Sequence, residues 1–274
     1  MNKKDLEDYK DSMEITVGHD VEVFLKDSEG TPISSIGKVG GSKEEPLQTQ
    51  HGWVQEDGVA AEVNILPATS CTDFVESTIL VLNDLLSIIK PLDLELKIDA
   101  SAIFDESQLK DPLALLAGCD EDYNAYSMTV NDSPEYTSGL RGAGGHIHVG
   151  WKGGGETLKD IVEVVKAIEY NIVLPSILLD DDKSRRELYG AAGAHRPKPY
   201  GVEVRSPSNF WVKSTEYMEW VYYSVINSVK MRGNLPIKDG DLRSIIDNYD
   251  RAGAFDVIKS FNISLPRGVT LDAV

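Results

Sequence analysis

Four short stretches of this chain place chemistry-bearing side chains two residues apart in apolar surroundings. They are Asp20 and Glu22 in GHDVEVFL, Glu62 and Asn64 in VAAEVNIL, His146 and His148 in GGHIHVGW, and Glu203 and Arg205 in YGVEVRS. Side chains at i and i+2 of a β-strand share a face. Four such pairs on one sheet would line a single surface with carboxylates, imidazoles and a guanidinium. Buried charge is costly unless it is paired or metal-bound. The pattern therefore reads as a divalent-metal and phosphate site.

Each pair also has a plainer reading. His146 and His148 could be satisfied core or surface residues, but two imidazoles on one face behind Gly144 and Gly145 suit a metal ligand. Asp20 and Glu22 fit a half-buried strand with alternating charge, or a pair of hard oxygen ligands. Glu62 stands in the most apolar setting of any carboxylate here, where it needs a partner. Glu56 and Asp57 lie just upstream, and either can join it or face solvent in a turn. Glu203 and Arg205 make a simple strand ion pair or, with Arg196 and Lys198 just before them, a phosphate cradle. Lys43 in GGSKEEP is a further candidate for phosphate or substrate.

These side chains need strands to carry them. MEITVGHDVEVFLKD alternates and ends at the turn DSEG. WVQEDGVAAEVNILP reads as one strand or two halves, with Gly58 as a bulge. A helix capped by Thr69 or Ser70 follows, with Phe74, Ile79, Leu82, Leu85, Leu86 and Ile89 as its apolar stripe and Pro91 as its stop. LDLELKI is another strand, residues 104–143 are loop-rich with a short helix in DPLALLAGCDEDYNAY, and RGAGGHIHVGW is a strand entered through glycines. Residues 157–179 are helical, with Pro175 as a kink or boundary. DDDKSRRELYGAAGAHRPKPYG reads as a long polar loop, GVEVRS as the last strand and STEYMEWVYYSVINSVKM as an amphipathic helix. Without regular βα alternation, the order favours α+β with an antiparallel sheet.

The composition narrows the function. A chain of 274 residues with net charge −18 repels nucleic acid and anionic membranes. Two cysteines, Cys71 and Cys119, make no disulfide framework and suit a reducing compartment. Cys119 reads as structural. The first residues are polar and no apolar run is long enough to span a bilayer, so a cytoplasmic location is expected. No GxGxxG or P-loop sequence is present.

In order and combination, GHDVEVFL, QEDGVAAEVNILP, RGAGGHIHVGW and YGAAGAHRPKPYGVEVRSPSNFW resemble the phage-type carboxylate–amine ligases. These are the COOH-NH2 ligase type 2 proteins of the glutamine synthetase-like amidoligase superfamily. The resemblance spans residues 14 to 225. It implies a glutamine synthetase-like curved antiparallel sheet, a half-barrel backed by helices. It divides the chain into a flexible lead (1–13), a ligase domain (14–232) and a helical tail packing on it (233–274).

The resemblance also implies a site. Asp20 and Glu22 would be metal ligands, as would Glu62 with Asp57 or Glu56, His146 and Glu203. His148 would face substrate, and Arg205 the transferred phosphate. Arg196, Lys198 and, more loosely, Arg186 would hold nucleotide phosphates. The implied cofactors are ATP and Mg²⁺ or Mn²⁺. The implied reaction joins a small-molecule or peptide carboxylate to an amine through an acyl phosphate, in the host cytoplasm if the gene belongs to a phage, and homo-oligomerisation stays open. Two other readings stand beside it: a metal-dependent amide hydrolase, and a non-catalytic nucleotide- or metal-binding subunit.

Overall fold

The computed structural model describes residues 14–115, 121–132, 136, 138–152, 157–181 and 183–274. The expected lead 1–13 and Cys119 lie outside the described residues. The sheet is built around one long strand, β1 (Ile15–Lys26). Its first half pairs with β10 (Gly145–Trp151), its middle with β5 (Ala60–Asn64), and its end with β2 (Pro32–Ile33) and β6 (Glu95–Lys97). β3 (Leu47–Gln48) and β4 (Trp53–Asp57) extend one side; β12 (Gly201–Val204), β11 (Ala194–Lys198) and β8 (Tyr123–Asn124) extend the other. The path runs β3-β4-β5-β1-β10-β12-β11-β8, every pairing is antiparallel, and the sheet stays open at both ends. β7 (Ser101–Ile103) and β9 (Leu140–Gly142) form a small separate ladder.

The period of two decides the faces. Val17, Val21 and Val23 of β1 are fully buried with Val63, Ile147, Val149, Val202 and Val204. Over this face lie α1 (Cys71–Ile89), α2 (Leu158–Ile168) and α5 (Thr215–Met231). The even-numbered residues of β1 therefore face away from the helices, as α+β alternation requires. His19 falls on the helix side. It meets Phe74 and Trp211 edge-on, its Nε2 lies 2.9 Å from Thr78 Oγ1, and burial pushes its pKa down to about 3. It is a neutral core residue.

Local chemistry refines several expected elements. Ser70 caps α1, its side chain accepting from Asp73 N at 3.1 Å. The buried stripe is Phe74, Val75, Thr78, Val81, Leu82, Leu85 and Ile89; Ile79 and Leu86 stay partly exposed, one position off the core face. Gly58 is no bulge. With φ +56° it turns the β4–β5 hairpin, where Asp57 faces Ala60. Within the expected short helix of DPLALLAGCDEDYNAY, Pro112–Leu115 is a 3₁₀ turn, and residues 116–120 lie outside the described residues. The expected polar loop after Leu179 contains a short helix, α4 (Arg185–Leu188), and all of β11, so Arg196 and Lys198 stand on a strand. Pro197 between them is tolerated in β11, since proline simply donates nothing to the ladder.

Pro175 sits in the first turn of α3 (Leu174–Leu179), so of the expected kink or boundary it marks the boundary. Immediately before it, Glu169–Val173 is a π-helical turn. Proline is tolerated in the first turn of a helix. α3 then packs with α6 (Asp239–Asp247) and α7 (Arg251–Phe261) in a second apolar cluster.

Glu169 opens the π-turn and is fully buried. The Ser206 hydroxyl donates to it, yet burial raises its carboxyl to about 7. A raised carboxyl contributes stability that is complete below the unfolded carboxylate range near 4.5 and is lost as pH rises through 7. Glu169→Gln should therefore gain on the parent by about 3 kcal/mol between pH 4.5 and pH 8. Urea unfolding of both proteins at the two pH values measures this; an unchanged difference would refute it.

Candidate functional site

The register of β1 assembles the cleft. Asp20 stands directly between Asn64 of β5 and His146 of β10, and Glu22 stands opposite Glu62. Gln55 of β4 faces Glu62 from the other side. One row further, His148 faces Glu203, and Glu203 faces Arg196. Asp20, Glu22, Asp57, Glu62, His146, Glu203, Arg196, Lys198, Arg205 and Lys43 thus line one cleft of about 390 Å³, with Trp53, Gln55, Asn64 and Pro46.

Two triads emerge. Ligand-capable atoms of Asp20, His146 and Glu203 lie within 4.8 Å of one another, and so do those of Glu22, Asp57 and Glu62. Donors around a small divalent ion are about 3–4 Å apart, so modest side-chain shifts close either set around one. Glu56, the alternative to Asp57, is used elsewhere. It accepts the backbone N–H groups of Lys38, Val39 and Gly40 at 3.1, 3.2 and 2.9 Å, and so pins the loop that precedes Lys43.

The two sets differ in electrostatics. In the first, burial alone would raise Asp20, but the imidazoles of His148 and His146 hold it well below the usual carboxylate range. His146 Nδ1 lies 3.0 Å from Asp20 Oδ1, and His148 Nε2 lies 3.0 Å from Asp20 Oδ2. Glu203 is fully buried among three cations, with Lys198 Nζ at 2.7 Å, Arg196 Nη1 at 3.4 Å and Arg205 in direct contact. In the second set, the donors to Glu62 are the neutral amides of Gln55 and Asn64, at 3.0 and 2.9 Å, and Glu22 accepts from Gly144 N at 2.7 Å. Burial, then repulsion from Asp20, Asp57 and Glu22, drives Glu62 well above its ordinary value. Burial likewise raises Glu22 and Asp57. Three crowded carboxylates, two of them met by neutral donors, could hold a cation.

The glycines of RGAGGHIHVGW have a steric role. A Cβ on Gly144 would strike the His146 ring, and one on Gly145 would strike Ser208 and Trp211. Both glycines let neighbours close in, and Trp211 Nε1 donates to Gly145 O at 3.1 Å.

Not every expected residue reaches the cleft. Arg186 turns away: its Nη1 donates to Gly190 O and its Nη2 to Ser176 Oγ, and its guanidinium sits over the Tyr249 ring. His148 lies at the rim, its Nδ1 2.6 Å from Tyr200 Oη. Conversely, Tyr189, Tyr200 and Asp122 are contacts that strand periodicity could not reveal. Asp122 Oδ2 accepts from Arg205 Nε at 3.3 Å and the Tyr189 hydroxyl accepts from Nη2.

A second cleft adjoins the first and shares Glu22, Asp57 and Arg205 with it. Arg141 and Arg185 line it and are only 3% and 2% exposed. Their guanidinium groups donate to backbone carbonyls: Arg141 to Ala114, Ser138 and Leu140, Arg185 to Arg205 and Ser206. Burial lowers Arg185 to about 10.

The crowding of Glu62 has a measurable consequence. A carboxyl raised by burial and repulsion destabilises the fold as pH climbs through its folded pKa. In chelator at pH 8, Glu62→Gln should melt at a higher temperature than the parent. Added Mn²⁺ should raise the parent's melting temperature more than the variant's, which keeps only the Asp20, His146 and Glu203 set. Equal Mn²⁺ shifts in both proteins would remove Glu62 from the candidate metal set.

Comparison with known proteins follows the same lines. Residues 134–230 match the family described as Phage phiEco32-like COOH.NH2 ligase-type 2. No curated protein matches this chain. Among solved structures, a GmaS/ADP complex is similar over 94% of this chain and 66% of its own length, at 10% identity and a TM-score of 0.40. A structure described as a novel glutamine synthase homolog is similar over 98% of this chain and 71% of its own, at 12% identity and a TM-score of 0.39. The chain thus spans just under two thirds of the first of these. The family that the sequence motifs resemble is the one whose model matches residues 134–230, a family of carboxylate–amine, that is carbon–nitrogen, ligases.

Proposed function

We propose that this chain is an ATP-dependent carboxylate–amine ligase that activates its acid as an acyl phosphate at a site for two Mg²⁺ or Mn²⁺ ions. One observation carries the reading. Six ligand-capable side chains divide into two triads on one sheet face, and Arg196, Lys198 and Arg205 gather around Glu203 in only one of them. Asp20, His146 and Glu203 would hold the ion beside the phosphates. Glu22, Asp57 and Glu62 would hold the ion beside the acid. Bound there, the ions neutralise phosphate oxygens and polarise the transferring group.

The chain's own residues do the rest. Arg196 and Lys198 offer donors to phosphate oxygens in place of Glu203, and Arg205 presents a guanidinium to the transferred phosphate. Lys43, from the loop pinned by Glu56, adds positive charge opposite Asp57. His148, held between Asp20 and Tyr200, faces substrate at the rim. The acid would lie at the Glu22, Asp57 and Glu62 end of the cleft, where it adjoins Arg141 and Arg185. Its carboxylate oxygen attacks the γ-phosphorus and ADP departs. The amine then attacks the acyl carbon and phosphate leaves. The first step brings like charges together, and in the second the amine attacks as its free base and its proton leaves with the phosphate, so alignment and charge stabilisation carry the catalysis.

The hydrolase reading has less support. His19 is in the core, His51 pairs with Asp84, and His195 Nδ1 is held by Gly193 O at 2.9 Å. Two imidazoles amid clustered cations suit phosphate chemistry better than water activation alone.

Calorimetric titration with a non-hydrolysable ATP analogue tests the assignment. Binding should require Mn²⁺ or Mg²⁺, fail in chelator, and weaken more in Asp20→Asn, at the phosphate-side triad, than in Glu62→Gln, at the acid-side triad. A screen of acids and amines for ADP release should then find turnover that folded Glu203→Gln lowers at least about 1000-fold. Retained turnover in that variant would sink the role of Glu203. Amide cleavage without ATP would replace the ligase with a hydrolase.

A further inference from the structure

Arg205 is 4% exposed and is held from two sides. On the cleft side its Nη1 donates to Glu203 and lies 3.5 Å from His146 Nδ1. On the outer side its Nε donates to Asp122 Oδ2 and its Nη2 to the Tyr189 hydroxyl. Asp122 is itself braced. Its Oδ1 accepts from Asn131 Nδ2 at 2.8 Å, and its backbone carbonyl accepts from Asn131 N at 2.9 Å. Asn124, two residues on, donates from Nδ2 to Asn131 Oδ1 and to Ala192 O. The turn 122–131 is thereby locked onto the strand neighbourhood of Arg205, where β8 pairs with β11.

The inward pull on this guanidinium is large. Glu203 touches it, and its charge also acts on Glu22 and Asp57. With only those carboxylates as partners, a flexible guanidinium would swing onto them and leave the space where a phosphate must sit. An acidic acceptor on the far side opposes that swing.

We propose that Asp122 is a positioning residue: anchored through Asn131 and acting with Tyr189, it holds Arg205 outward so that the guanidinium addresses the terminal phosphate of a nucleoside triphosphate. The proposal rests on the reading of Arg205 as the phosphate-facing cation. Asp122 touches neither metal triad, and its effect passes through Arg205. A positioning defect is therefore specific for the terminal phosphate, whereas general damage to the fold weakens all nucleotides alike.

The test is calorimetric titration of the full chain with Mg²⁺ and either a non-hydrolysable ATP analogue or ADP. In the parent, the triphosphate analogue should bind more tightly than ADP. Asp122→Asn should weaken the analogue about tenfold, equivalent to about 1.4 kcal/mol, and ADP less than about twofold. Asp122→Glu should restore part of the preference. Should Asp122→Asn fail to fold, Tyr189→Phe removes the other outer acceptor and carries the same expectation. A parent preference that survives in the folded variants, or equal weakening of both nucleotides, overturns the proposal alone. A parent that binds neither nucleotide overturns the nucleotide reading and this proposal with it.

Discussion

Everything at the cleft depends on the register of β1 between β5 and β10. The strand presents valines to the helices and Asp20 and Glu22 to the opposite side. A slip of one residue would exchange the two faces completely. It would drive two carboxylates into a core of Val, Ile, Phe and Trp side chains and expose the valines. Burying those charges in apolar surroundings would cost far more than a small domain's whole margin of stability. The core thus fixes the register, and the register sets Asp20 against His146 and Glu22 against Glu62.

This arrangement concentrates charge where charge is hardest to keep. Carboxylates from β1, β4, β5 and β12 meet on one sheet face, and Glu22, Asp57, Glu62 and Glu203 are raised above their ordinary range by burial first, with repulsion from neighbouring carboxylates next at Glu62 and Glu203. The surrounding structure compensates unevenly. Around Glu203 the compensation is three cations. Around Glu62 it is two side-chain amides. The asymmetry gives the cleft two electrostatically different ends, one rich in cations and one rich in carboxylates. It also gives a reason for the outer clamp on Arg205, because a cation among that many acids stays in place only when it is held from both sides.

The helices and loops serve the sheet. α1, α2 and α5 cover the apolar face and leave the acidic face open, which is why the cleft exists at all. Short devices at the periphery set the fine positions. Glu56 anchors the loop that carries Lys43, Gly144 and Gly145 admit the His146 and Trp211 rings, and the π-turn before Pro175 brings Glu169 against Ser206, next to Arg205.

The sequence by itself determined the strand pairs, the α+β class and the order of the motifs. The period of two is written into residues such as Val21, Glu22 and Val23, and a half-buried strand obeys it without long-range help. It also marked which side chains share a face, because that is a property of one strand. What it left open was everything that depends on neighbours distant in the chain. That Asp57 rather than Glu56 lies near Glu62 depends on the β4–β5 hairpin and on a loop that claims Glu56. Arg196 and Arg186 look alike in a polar segment, yet strand pairing carries one to Glu203 while a short helix turns the other toward Ser176 and Tyr249. Asp122 and Tyr189 gave no periodic signal at all, since a loop residue's partner is chosen by tertiary packing. Local geometry is encoded within a few residues, whereas the pairing of charges across 80 or more residues, as between Asp122 and Arg205, exists only once the chain has closed on itself.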